Sequence, residues 1–87
     1  MAGENPTDAA RHFNEAIQLE PQSIRANYGL GQALRQIGKF DEAVFPLRRA
    51  LELKQESVEI LFTLANTLRK IGQVDDAIVH YQKALVF

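Results

Sequence analysis

The sequence repeats itself with a period of 34 residues, and no other feature constrains its fold as strongly. Residues 24–57 align with residues 58–87 without a gap. Identical residues fall at the following aligned positions: Leu30 and Leu64, Leu34 and Leu68, Arg35 and Arg69, Gly38 and Gly72, Ala43 and Ala77, Ala50 and Ala84. A period of this length is typical of stacked helical hairpins, in which each repeat packs only on its neighbours.

Apolar spacing and helix-end signals predict five helices. Their approximate ranges are 6–19, 24–37, 40–53, 58–71 and 74–86. Pro21 ends the first helix, because the residue before a proline is pushed out of the helical region. Gly38 and Gly72 end the second and fourth, because glycine readily adopts a left-handed backbone. The connecting loops span only two to four residues, so neighbouring helices are expected to run antiparallel.

Two positions bear on how these helices pack. Pro46 lies inside the third helix, where it removes a backbone N–H, so we expect this helix to bend or loosen locally. Gly31 and Ala65 are small residues at equivalent positions, where a larger side chain would push the helix axes apart.

Composition and charge argue against several classes of function. The net charge of −1 and the isoelectric point of about 6.1 give no support for binding nucleic acid or an anionic membrane surface. The sequence has no cysteine, which excludes thiolate catalysis and cysteine-bound metal. No apolar run approaches the roughly 18–20 residues of a membrane span. The N-terminus lacks the apolar region of a signal peptide, so a cytoplasmic location is the default expectation.

His12 and His80 are the candidates for acid–base chemistry or metal binding. Each has a carboxylate neighbour at helical spacing, Glu15 or Asp76, but no third ligand follows at such a spacing. No phosphate-binding loop, nucleophile elbow or metal motif is present. We therefore predict a non-enzymatic protein with no cofactor, no metal, no nucleic acid and no membrane partner.

The repeat closely resembles the tetratricopeptide repeat (TPR) family in the segments NYGLGQALRQIGKFDEAVFPLRRALEL and LFTLANTLRKIGQVDDAIVHYQKALVF. The family positions are occupied in the first copy by Asn27, Leu30, Gly31, Leu34, Gly38, Phe40, Ala43, Leu47, Ala50 and Gln55. The second copy has Leu61, Leu64, Ala65, Leu68, Gly72, Val74, Ala77, Tyr81 and Ala84. Asn27 and Gln55 depart from the usual aromatic residue and proline. The resemblance implies an all-α fold, a right-handed superhelical stack of antiparallel helix hairpins.

Aligned in this way, residues 1–87 form a single TPR domain of about two and a half repeats. Residues 1–23 are the orphan second helix of a partial repeat, 24–57 a repeat, and 58–87 a repeat lacking a capping helix. Both ends are therefore expected to expose apolar surface, which predicts self-association through Phe13, Leu85 and Phe87. The alternative is that the chain is a piece of a longer array, whose remaining sequence covers these ends.

The resemblance also implies that the first helix of each repeat lines a concave groove for peptides. The positions carried over are Arg25, Tyr28, Gln32, Arg35 and Gln36 in one copy, and Glu59, Phe62, Asn66, Arg69 and Lys70 in the other. Independently, the spacing i, i+4, i+7 places Tyr28, Gln32 and Arg35 on one stripe. Family members that clamp a C-terminal carboxylate use a lysine where this sequence has Tyr28 or Phe62, so that clamp is not expected.

This pattern predicts a protein-interaction scaffold that holds a peptide or helix of a partner. Aromatic rings and side-chain amides suit a peptide backbone, and arginine favours a carboxylate. Two alternatives stay open. The aromatic residues could pack between helices with the arginines simply solvated, or the chain could be a homo-oligomerising structural unit.

Overall fold

The computed structural model describes residues 5–87, which form five α-helices and contain no strand. The helices are α1 (Pro6–Leu19), α2 (Ile24–Ile37), α3 (Phe40–Leu53), α4 (Val58–Lys70) and α5 (Val74–Val86). The five predicted helices are confirmed, with only α4 ending one residue early. Each helix packs on the next one along the chain. The all-α stack of antiparallel hairpins predicted from the repeat is therefore confirmed.

Local signals account for the helix ends. Asn5, Ser23 and Ser57 accept hydrogen bonds from the backbone N–H three residues on, at 2.8, 3.0 and 3.2 Å, and so cap α1, α2 and α4. Gly38 and Gly72 have φ values of 94° and 88°, a left-handed backbone that allows the chain to reverse within two residues. Four-residue loops precede α2 and α4, and shorter turns that contain Gly38 or Gly72 precede α3 and α5.

The main core lies between α3, α4 and α5, and a second cluster joins α1 to α2. The main core consists of Ala43, Leu47, Leu64, Ala65, Leu68 and Ala77. The second cluster is built on Ala10, Leu30 and Ala33. The two are connected where α2 meets α3, because a Cβ atom placed on Gly31 would lie 2.5 Å from Cγ of the fully buried Leu47. The expected role of Gly31 as a contact point is confirmed.

Pro46 does not interrupt α3, which runs continuously from Phe40 to Leu53. The proline is itself buried, so its ring contributes to packing. The carbonyl that loses its helical donor belongs to Glu42, an exposed residue, where water can supply the missing hydrogen bond. The expected local loosening therefore does not break the helix.

His12 and His80 occupy equivalent repeat positions but have different surroundings. His12 is exposed, with its Nδ1 3.9 Å from Oε1 of Glu15. His80 is half-buried, and its Nδ1 is fully buried without a hydrogen-bond partner among the described residues. Burial lowers the pKa of His80, Lys83 and Arg48 lower it further, and Asp76 acts in the opposite direction. Equivalent repeat positions therefore place the imidazole of His12 in solvent and that of His80 partly inside the fold.

Gly31→Ala is expected to lower the free energy of unfolding by about 1–2 kcal/mol. The added methyl overpacks the contact with Leu47, which costs about 1–3 kcal/mol, and the better helix propensity of alanine returns at most about 1 kcal/mol. Urea unfolding followed by circular dichroism measures the difference, with exposed Gln36→Ala on the same helix as the control. An unchanged or raised stability would contradict the close contact.

The stability of the protein is expected to fall as the pH drops below about 6.5, in part through His80. Because its pKa is lower in the folded than in the unfolded chain, the stabilisation is present above the unfolded pKa and is lost as the pH falls through the folded pKa. Urea unfolding at a series of pH values should show a weaker pH dependence in His80→Gln than in the His12→Gln control. Identical profiles for the two variants would rule out this assignment.

Candidate functional site

The first stripe of candidate residues, Tyr28, Gln32 and Arg35, runs along α2. Its first residue contacts α4. The hydroxyl of Tyr28 forms a hydrogen bond with Oγ1 of Thr63, at 2.8 Å. Burial raises the pKa of Tyr28, and Glu59 adds to this effect, while Thr63 and Arg35 oppose it. Tyr28 is thus half-buried between two helices, and its hydroxyl is used within the fold.

Arg35 is the last residue of the first stripe, and only some of its hydrogen-bond donors have an acceptor. Its Nη1 donates a hydrogen bond to Oε1 of Gln32, at 3.1 Å. Its Nε is buried and lacks a hydrogen-bond partner among residues 5–87. A buried donor without an acceptor is costly, but a ligand cannot reach Nε; the guanidinium nitrogen left for a ligand is Nη2, which forms no hydrogen bond within residues 5–87. The amide and guanidinium are therefore positioned by each other, with Nη2 left unused.

The second stripe consists of Phe62, Asn66 and Arg69 on α4. Tyr81 of α5 contacts all three. The rings of Phe62 and Tyr81 lie 5.9 Å apart at an angle of 56°, a tilted arrangement that aromatic pairs favour. The Tyr81 hydroxyl donates to Oδ1 of Asn66 and accepts a hydrogen bond from Nε of Arg69, at 3.4 Å. The sequence placed Tyr81 only at a repeat-family position and did not predict this role, since only the packing of α5 on α4 brings it beside Asn66.

The remaining predicted residues differ in how available they are. Arg25 is exposed. The Nζ of Lys70 lies 5.6 Å from the centre of the Phe40 ring, a cation–π distance that directs it toward the start of α3. Of the residues predicted for self-association, Leu85 and Phe87 are exposed. Phe13 is half-buried and packs on the cluster between α1 and α2.

Together, the stripes present arginine, amide and aromatic groups on two helices joined by the Tyr28–Thr63 bond. Such groups bind peptide backbones and carboxylates. No group of three or more potential metal ligands occurs in the described part of the chain. In that same part, every helix is too short or too polar to cross a membrane.

Comparisons with known proteins agree with this architecture. MamA from MSR-1 matches 91% of the chain with 25% identity and a TM-score of 0.84. MamA from AMB-1 matches 94% of the chain with 24% identity and a TM-score of 0.89. The chain spans 45% of each of these proteins, slightly under half their length. No curated protein matched the sequence.

A family profile covers nearly the whole sequence. The profile describes the anaphase-promoting complex, cyclosome, subunit 3 family, and it matches residues 4–84. This family is TPR-like, in agreement with the helix stack and with the MamA structures. The chain therefore belongs to the anaphase-promoting complex, cyclosome, subunit 3 family of TPR-like repeats.

Proposed function

We propose that this protein is a non-enzymatic, cytoplasmic scaffold that binds an extended peptide or a helix of a partner protein along the stripes of α2 and α4. The observation that carries the proposal is Arg35, whose Nη1 is held by Gln32 while its Nη2 forms no hydrogen bond within the described chain. A carbonyl or carboxylate oxygen of the ligand would accept a hydrogen bond from Nη2.

The second stripe supports the same ligand chemistry. Phe62 is 42% exposed, so part of its ring is available for contact. Arg69 is exposed and uses its Nε toward Tyr81, which leaves the terminal nitrogens of the guanidinium for a ligand. The amide nitrogen of Asn66 is likewise not used by the bond that its oxygen accepts from Tyr81. A peptide with at least one acidic residue fits these donors best.

The test uses a fluorescent peptide selected from a random phage-displayed library on the wild-type protein. Arg35→Ala combined with Arg69→Ala should weaken its binding about tenfold, because two charge-assisted contacts are lost. Fluorescence anisotropy measures the affinity, and circular dichroism checks that the variant remains folded.

Arg11→Ala combined with Arg49→Ala is the matched control. It removes the same charge outside the stripes, because Arg11 pairs with Asp8 on α1 and Arg49 pairs with Glu52 on α3. The control is expected to bind like wild type. Equal affinities for the two double variants, whether both weakened or both unchanged, would show that the stripes of α2 and α4 are not the peptide-binding surface.

A second function, self-association, is favoured by a comparison between α3 and α5. On α5, Val74, Ile78 and Leu85 are 49%, 45% and 82% exposed. The equivalent residues of α3 are all partly buried: Phe40, Val44 and Leu51. Val44 and Leu51 pack against the core that α3 shares with α4. The same face is therefore covered by a following helix in one repeat and uncovered in the next. We propose that a second copy of the chain covers it.

Leu85→Glu is expected to lower the molar mass in solution, because a carboxylate cannot be buried without a partner. Light scattering across a concentration series measures the mass. Phe45→Glu, which alters a similarly exposed residue on a different helix, serves as the control and should leave the mass unchanged. A wild-type protein that stays monomeric throughout the series would exclude self-association.

A further inference from the structure

A cavity of about 560 Å³ opens where α3, α4 and α5 meet, and it shares no residue with the two stripes. Leu51 and Phe87 contribute its accessible apolar lining, and the fully buried Leu61 and Leu64 lie beneath it. Charged and polar side chains complete it, among them Arg48, His80 and Lys83. An apolar concavity with a few converging polar groups is the usual form of a binding site.

The polar groups of this cavity favour an anion. The imidazole of His80 lines the cavity, although its Nδ1 is itself buried and out of reach of a ligand. Arg48 and Lys83 lie near enough to the imidazole to lower its pKa, and neither takes part in an ion pair within residues 5–87. Two carboxylates also line the cavity, but Glu52 is already paired with Arg49, at 3.2 Å. Glu56 is the other, so the unpaired charges of the lining are positive in sum.

The cavity continues into an exposed aromatic surface. Phe45 is 80% exposed and borders a shallow depression that also contains Arg48 and Glu52. Both of these residues line the cavity as well, so the aromatic ring and the cavity belong to one surface. Isolated exposed apolar residues are common, whereas an exposed phenylalanine beside an apolar cavity extends the area that a partner can contact.

The cavity differs in chemistry from the equivalent region one period earlier. That region has a cavity of about 460 Å³, whose lining includes Pro21, Gln22 and Arg49 at the positions of Gln55, Glu56 and Lys83. One period earlier, Asn14, Asn27 and Pro46 stand where Arg48, Leu61 and His80 line the cavity. Asn27 is buried there, and its Nδ2 donates to the carbonyls of Pro21 and Ser23, at 3.1 and 2.8 Å. The equivalent region thus has a hydrogen-bonded polar residue in place of Leu61. It keeps a cation at Arg49 but has no counterpart of Arg48 or His80.

We propose that this cavity is a second peptide-binding site, which takes an apolar side chain next to a carboxylate from an acidic segment of a partner protein. The proposal is independent of the stripes. A peptide is favoured over a small molecule, because the lining includes exposed residues such as Arg48, Lys83 and Phe87 and leaves one side open. Small-molecule sites bury most of their ligand. The protein would then contact partners on two of its faces.

The probe is the peptide acetyl-Glu-Leu-Phe-Glu-amide, titrated into isotope-labelled protein and followed by NMR. The methyl groups of Leu51 and Leu61 and the ring of His80 are expected to shift. Two control peptides should each bind at least about fivefold more weakly. One has glutamine in place of both glutamates and lacks the carboxylates. The other has serine in place of leucine and phenylalanine and lacks the apolar side chains.

Arg48→Glu combined with Lys83→Glu should weaken binding of the probe about tenfold. Both residues are exposed, so the fold should tolerate the change. The matched control is Arg11→Glu combined with Lys39→Glu, which makes the same charge change at exposed residues outside the cavity lining and should leave the affinity unchanged. Arg35→Ala combined with Arg69→Ala should also leave it unchanged.

Several results would overturn the proposal. Shifts confined to Tyr28, Phe62 and their neighbours would assign the probe to the stripes and leave the cavity without a ligand. Equal binding of the glutamate and glutamine peptides, or equal weakening by both charge-reversal variants, would show that Arg48 and Lys83 do not recognise the carboxylates of the peptide. The absence of any shift would reject the cavity as a peptide site. Failure of the stripes to bind their selected peptide would not affect these readouts.

Discussion

The packing of Leu47 on Gly31 sets the geometry on which the rest of this structure depends. Leu47 is fully buried in the core between α3 and α4, and the missing side chain at Gly31 lets α2 approach it. This approach fixes α2 and α4 on either side of α3. The hydroxyl of Tyr28 then reaches Thr63 at 2.8 Å, and the two stripes lie side by side. A close-packed interior transmits the position of one helix to the next.

Hydrogen bonds within the fold hold the side chains of the two stripes in place. Gln32 holds Arg35, and Tyr81 bonds both Asn66 and Arg69. Groups that are already fixed lose less conformational entropy on binding. The same bonds also limit which polar atoms remain for a ligand, because the Tyr28 hydroxyl is used within the fold while the Nη2 of Arg35 forms no hydrogen bond among the described residues. The surface is therefore a positioned set of cationic and aromatic groups.

Repetition supplies the scaffold, and the departures from repetition supply the differences between its surfaces. The two copies share the residues that form helices and contacts, so their interfaces have similar backbones. Asn27 and Leu61 stand at equivalent positions, yet one is hydrogen-bonded within the fold and the other lines a cavity. His12 and His80 differ in the same way. Binding surfaces in such a stack are therefore to be sought where equivalent positions carry chemically different residues.

The sequence by itself determined the five helices, their ends and the residues of each stripe, because these depend on local spacing and on Pro21, Gly38 and Gly72. Only the tertiary structure decided the partner of Tyr81, the burial of His80 and Phe13, and the existence of the cavity. Each of these depends on the distance between helices that are separate in sequence. Pro46 belongs with them, since the surrounding packing keeps α3 continuous against its local preference.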